Sequence, residues 1–199
     1  MRKFALLMFL FYVTFNIGKV KADEEFYFKG AFNDYTVNAM IKELNEANAK
    51  TNIRKSFVIR FSSGGGSVFA GHKLIETIMA MQKQGRRFIG IVEDFCASMC
   101  FTTLQYMDKR YAKPLATLMQ HNVSGGGNDQ DAMDMKDHLE WLHVKQTSKR
   151  SKLPARVLRK LFDRNYFGDA ELSLKMGFID EIIQAEVTEP PKIGQRNKE

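Results

Sequence analysis

Phe57-Val58-Ile59-Arg60-Phe61-Ser62-Ser63-Gly64-Gly65-Gly66-Ser67 is the stretch on which the fold turns. A short, mostly apolar run rich in β-branched and aromatic residues reads as a buried strand. It ends abruptly in glycines, after which Leu74, Ile75, Ile78 and Met79 recur at helical spacing, Gly85 closes the helix, and Phe88 to Val92 is a second buried strand. Upstream, Glu25 to Phe32 reads as an aromatic-rich strand, followed by Asn33 or Asp34 as a cap and a helix carrying Val37, Met40, Ile41 and Leu44. Downstream, Ser98 to Met107 starts a helix, Ala116 to Met119 is a strand, and Ser124 to Gly127 is a flexible loop. Asp131 to Lys149 is a long polar helix with Met135, Leu139 and Leu142 on one side, and Pro154 suits the first turn of another helix. Ala170 to Met176 is helical, Gly177 stops it, and Phe178 to Ile183 is the last strand. Strand and helix alternating in this way predict an α/β fold with a parallel sheet.

The chain has 199 residues, 44% of them apolar and 27% charged, which suits one globular domain and excludes collagen, disorder and repeat arrays. Its formal charge of +7 invites a nucleic-acid reading. Arg2, Lys3, Lys19 and Lys21 supply four of those charges, and the rest make no basic stripe, so no nucleic-acid partner is expected.

Met1-Arg2-Lys3, the uncharged run Phe4 to Ile17, and the small residues Val20 and Ala22 flanking Lys21 make the pattern of a secretory signal peptide cut before Asp23. The apolar run is shorter than the roughly 18 residues of a spanning helix. The expected organisation is a leader at 1–22, one domain at 23–188, and a polar tail at 189–199 after Pro190-Pro191. A periplasmic or secreted location follows, with a membrane anchor as the lesser alternative. Cys96 and Cys100 are the two cysteines, and across a turn and a helix start their side chains are expected to miss one another, leaving free buried thiols.

Three positions bear chemistry. The glycine turn at Gly64 to Ser67 sits between strand and helix, where backbone N–H groups face a ligand or merely make a tight turn. It lacks the Gly-Lys-Ser/Thr of a phosphate loop and the GxGxxG of a dinucleotide site, so no nucleotide cofactor is expected. Ser98, within Cys96-Ala97-Ser98-Met99-Cys100, occupies the next strand-to-helix junction and reads as a helix cap or as a nucleophile. His121 follows a strand end and reads as a general base or a packed polar residue. His72, His138 and His143 are expected to be solvated or satisfied rather than metal ligands.

In order and spacing, Ser62 to Val68 followed by Ala70-Gly71, then Ala97-Ser98-Met99, then Met119-Gln120-His121, then Phe167 to Asp180, resemble the proteolytic subunit family of the Clp protease, in register from about Phe26 to Ile183. The resemblance implies the ClpP/crotonase superhelix of ββα units with a protruding handle helix from Asp131. It implies Ser98 as nucleophile, His121 as general base, and the N–H groups of Gly66 and Met99 as the oxyanion hole. It also implies a homo-oligomeric ring, heptameric as in the family, with no metal or other cofactor. Counting back from Gly177-Phe178-Ile179-Asp180 places Asn165 where the family has its third, acidic member. Asn orients an imidazole without the charge that stabilises imidazolium. Asp163 or Asp169 substitutes if the local turn differs. The predicted cut leaves little chain before the first core strand, so the family's axial segment and its AAA+ ATPase partner are not expected. The function expected is an exported serine endopeptidase acting on peptides or unfolded polypeptides without a dedicated ATPase. The alternatives are a catalytically degenerate ring-forming interaction protein, a Ser/Lys peptidase of the signal peptide peptidase type, and a crotonase-type acyl-thioester enzyme.

Overall fold

A computed structural model describes residues 24–127 and 129–183; the leader read at 1–22 and the tail read at 189–199 lie outside the described residues. Five strands, β1 (Glu24–Lys29), β2 (Ser56–Ser63), β3 (Arg87–Ala97), β4 (Lys109–Ala112) and β7 (Glu181–Ile182), form a parallel sheet with the strand order β1-β2-β3-β4-β7. Two more branch from it: β5 (Thr117–Gln120) pairs in parallel with β3, and β6 (Tyr166–Gly168) runs antiparallel on β5. The helices are α1 (Asp34–Lys50), α2 (Val68–Lys83), α3 (Met99–Leu104), α4 (Gln130–Arg150), α5 (Ala155–Phe162) and α6 (Ala170–Met176). The architecture is thus mixed α/β around a parallel sheet, the class expected from the alternation.

Side-chain alternation explains which face carries the core. Phe57, Ile59 and Phe61 of β2 point into the main cluster with Phe26, Phe28 and Phe88, whereas Val58 joins Ile89 and Ile91 in a small second cluster on the other face. The rings make mutual contacts, Phe26 to Phe57 at 5.1 Å and Phe57 to Phe88 at 5.7 Å between centroids. Burying each such ring stabilises the fold by about 1.5–3 kcal/mol. Asn33, not Asp34, caps α1: its Oδ1 accepts from Thr36 N while Thr36 Oγ1 takes the Asn33 N–H, a reciprocal capping box. Ser67 caps α2 by accepting from Ala70 N. On α2 the core face is Leu74, Ile75, Ile78 and Met81, and Met79 turns out to be exposed.

The fork in β3 positions the site. Ile89 to Val92 pair with β4, and Phe95 to Ala97 pair with β5, so β4 leaves the strand before β5 joins it. Because β3 and β5 are parallel and Ala97 pairs with Met119, the residues that follow each strand emerge side by side.

Several elements depart from the sequence reading, among them β6, which was not foreseen. β4 was not foreseen; its buried Arg110 is held by Asp180 at 2.7 Å and by Gln105 Oε1 at 2.6 Å, an ion pair that admits a charge into the sheet. The last strand shrinks from Phe178–Ile183 to Glu181–Ile182, because Phe178 and Ile179 belong to the core as a turn after Gly177, whose φ of +78° suits glycine. On α4 the stripe is only partly buried: Leu139 is covered, Leu142 half-buried and Met135 exposed, so the N-terminal half of the helix stands off the domain.

Candidate active site

Ser98 sits between β3 and α3 with φ +55° and ψ −118°, a conformation non-glycine residues rarely adopt. Its backbone is pinned on both sides: Ser98 N donates to Met119 O at 2.9 Å, and Ser98 O accepts from Thr102 N at 3.0 Å. It occupies the N-cap position of α3, yet its hydroxyl caps nothing. Instead Ser98 Oγ lies 2.9 Å from His121 Nε2. The pairing of Ala97 with Met119 accounts for the approach, since each of these two residues leaves its strand just beyond that pair.

The glycine turn closes the other side. Phe32 N donates to Gly65 O and Phe32 O accepts from Ser67 N, both at 2.8 Å, which leaves the Gly66 N–H outside this pairing. Gly66 has φ +145°, and a β-carbon there would lie 2.4 Å from Phe32 O. The Met99 N–H is in the first turn of α3, where a helix offers no internal acceptor. Gly66 and Met99 line one small cavity, of about 40 Å³, with Ser98 and His121.

The third position is less complete. Gln120 with Tyr166 is the last pair of β5 and β6, so Asn165 stands one step past the ladder, where His121 does on the facing strand. Asn165 is exposed with φ +56°, and among the described residues no hydrogen bond joins it to His121. Asp163 Oδ1 accepts instead from Asn122 Nδ2 at 2.5 Å, and Asp169 is used as the cap of α6, accepting from Leu172 N at 2.8 Å.

Cys96 and Cys100 are joined by a disulfide, with Cα atoms 5.2 Å apart and both residues buried, which corrects the expectation of free thiols. That expectation assumed an ordinary strand-to-helix turn. The positive φ at Ser98 folds the chain back on itself, so that the first turn of α3 brings Cys100 beside Cys96.

His72 and His143, read from the sequence as solvated or satisfied, satisfy each other, a pairing the sequence did not foresee. His143 is buried on α4, lines the same cavity, and places its Nε2 3.1 Å from His72 Nε2. Burial, aided by the neighbouring His72, pushes the His143 imidazole down to about 4, and burial likewise lowers His72 against the pull of Glu76. The eight residues between the end of β2 and His72 give no hint of this, because the partner is supplied by a helix 71 positions along the chain. His138, by contrast, stacks on Trp141. Among the described residues no three side chains of metal-ligating type come together.

Residues 15–186 match the Clp protease family, starting inside the stretch read as a leader. The chain is 30% identical over 165 residues to an ATP-dependent Clp protease proteolytic subunit of Streptococcus mutans, covering 78% of this chain and 82% of the relative. It is 32% identical over 160 residues to the protein of that description from Porphyromonas gingivalis, covering 76% and 70% respectively. A third, from Dehalococcoides mccartyi, is 26% identical over 182 residues, 86% of this chain and 88% of the relative. With the family match spanning most of the sequence and the parallel α/β fold to go with it, this chain belongs to the Clp protease family.

Proposed function

We propose that the chain is an exported serine endopeptidase that hydrolyses peptides or unfolded polypeptides without a dedicated ATPase. The observation that carries this reading is the 2.9 Å approach of Ser98 Oγ to His121 Nε2 on a strained turn beside two backbone donors. In the first half-reaction Ser98 Oγ attacks the scissile carbonyl carbon, its proton passes to His121 Nε2, and the carbonyl electron pair moves onto oxygen. The Gly66 and Met99 N–H groups hold that oxyanion, donors of a kind each worth roughly 3–4 kcal/mol in the transition state. The C–N bond then breaks, His121 returns the proton to the leaving amine, and an acyl-serine remains. Water repeats the sequence, giving its proton to His121 as it attacks, and Ser98 Oγ leaves with that proton. Asn165 is the group we assign to orient the imidazole.

Export is supported by the leader pattern at 1–22 and by the Cys96–Cys100 disulfide, a bond that persists mainly in oxidising compartments. Among the described residues no helix is long and apolar enough to cross a membrane. The relatives are described as ATP-dependent; independence from an ATPase is our reading for this chain and follows from export. We further propose a homo-oligomeric ring, which light scattering reporting a monomer at working concentration would remove.

A second reading, a degenerate ring-forming interaction protein, is favoured by the missing bond between His121 and either Asn165 or Asp163. A fluorophosphonate probe separates the two. Labelling of Ser98 that disappears in His121→Ala supports the peptidase, and an inert Ser98 in the intact protein overturns it.

A further inference from the structure

We propose that the cavity beside Ser98 is a polar specificity pocket, taking a small uncharged hydrogen-bonding side chain, of serine, threonine or asparagine size, on the residue whose carbonyl is attacked. The proposal rests on Ser98 being the nucleophile and adds the substrate class. Three elements meet behind Ser98, and each contributes a polar side chain at a depth where apolar ones are the rule: Thr102 of α3 is 1% exposed, Gln120 of β5 2%, and His143 of α4 6%. Gln120 Nε2 donates to Thr102 Oγ1 at 3.0 Å, while Gln120 Oε1 is buried with no hydrogen-bond partner among the described residues. Unpaired buried acceptors are rare because each loses its hydration without replacement. A donor on the substrate, met by rotation of the Gln120 amide toward the cavity, removes that loss. With the amide turned end for end, the Thr102 hydroxyl would donate to Oε1 and Nε2 would be the unpartnered end, so the wall calls for a polar group in either orientation.

Charge and size narrow the class. None of the described residues lining the cavity is Asp, Glu, Lys or Arg, so neither a cationic nor an anionic side chain finds a counter-charge there. His143 does not supply one, since its Nε2 is engaged with His72 and burial keeps it neutral near pH 7. The cavity of about 40 Å³ leaves no room for an aromatic ring. An aliphatic side chain of fitting size would cover the Gln120 amide and leave it unpaired, and sites built to hydrogen-bond a substrate reject analogues lacking the group far more strongly than apolar pockets reject a missing methylene.

Two measurements test this. In the intact protein, peptides differing only at the residue before the scissile bond should be cleaved with kcat/KM at least tenfold higher for Ser, Thr or Asn than for Leu, Phe, Lys or Glu, and Gln120→Leu should reverse the order of Asn and Leu. In the Ser98→Ala protein, titration by NMR with acyl-tripeptides ending in Asn or Leu should give binding about tenfold tighter for Asn, a ratio lost in Gln120→Leu. Preference for Leu or Phe in either measurement, equal binding of both peptides, or binding of neither overturns the pocket. A Ser98 that resists the fluorophosphonate probe while the Asn peptide still binds selectively overturns the peptidase and leaves the pocket standing.

Discussion

Gly65 lies against Ser98 so closely that a β-carbon on it would fall 2.7 Å from Ser98 Cβ, 2.7 Å from Ala97 O and 2.9 Å from Met99 N. The glycine turn and the Ser98 turn are therefore two halves of one packed unit, although Gly65 and Ser98 are 33 positions apart in the sequence. Ser98 is held at positive φ, a strain of about 1–3 kcal/mol that only its surroundings can maintain. Gly65, Met119 and Thr102 are those surroundings.

Gly65→Ala should accordingly abolish the Ser98 geometry. Two of the three close atoms are backbone and cannot swing away, and φ +90° at Gly65 is itself strained for alanine. A fall of at least about 100-fold in fluorophosphonate labelling is expected, the scale of losing one oxyanion donor. Gly64→Ala is the control. Its β-carbon would meet nothing nearer than Phe95 Cε1 at 3.9 Å, so labelling and melting temperature should stay near the parent's. Equal effects from both substitutions would sink the argument.

The Cys96–Cys100 disulfide closes a five-residue loop around Ser98. Loop-closure entropy for so short a loop amounts to about 2 kcal/mol. The Cys96→Ala/Cys100→Ala protein should melt roughly 4–8 °C lower than the oxidised parent, at 2–4 °C per kcal/mol for a chain of this size. Peptide mapping without reductant should show the Cys96 and Cys100 peptides linked; unlinked, alkylatable thiols in native protein would refute the bond.

Much of this molecule was legible because its signals are local and periodic. The β2, α2 and β3 elements each announce themselves through apolar spacing, and the junction residues Gly66, Ser98 and His121 stand out by falling at strand ends. The α/β class follows from that alone. What failed to show has a common cause, which is dependence on distant partners. β4 contains Lys109 and Arg110 and reads as polar until Asp180 is seen to pair with Arg110. β6 has three residues, too few for a pattern, and exists only as the antiparallel partner of β5. The disulfide depends on one unusual φ at Ser98, and the buried His143 on a helix that reads as solvated over most of its length.

The His72–His143 contact should make the fold acid-labile. His143 is held down to about 4 in the folded protein, chiefly by burial, against an ordinary value of 6.5, so between those limits the unfolded chain binds more protons than the folded one. Stability therefore rises with pH through this window: the contribution is fully present above about pH 6.5 and is lost as pH falls toward 4. The loss is on the order of 3 kcal/mol for His143. Thermal melts of the parent should drop more steeply from pH 7 to pH 4.5 than those of His143→Gln, which cannot take up that proton. Parallel slopes for the two proteins would show that this histidine pair does not set the acid limit.

On the proposed mechanism, the residue that orients His121 should set the rate of Ser98-dependent turnover. Asn165 stands beyond the Gln120 to Tyr166 pair, at the step of β6 that faces His121, with φ +56° in the left-handed region that asparagine and aspartate tolerate better than most residues. Replacing Asn165 by Asp keeps size and backbone preference and adds a charge able to stabilise the imidazolium formed when Ser98 is deprotonated. Exchange of the triad Asp for Asn in a serine peptidase costs about 10⁴ in rate, with the imidazole held in the wrong tautomer. Asn165→Asp should therefore raise Ser98-dependent turnover by about tenfold or more, and Asn165→Ala should lower it. Asp163 Oδ1 is already taken by Asn122 Nδ2, so Asp163→Ala should loosen the segment after His121 and change turnover little. If Asp163→Ala proves the damaging change and Asn165→Asp is silent, the acid is Asp163 and the local turn rearranges on substrate binding. If all three substitutions leave turnover untouched, His121 works without a third residue and the assignment of Asn165 is wrong.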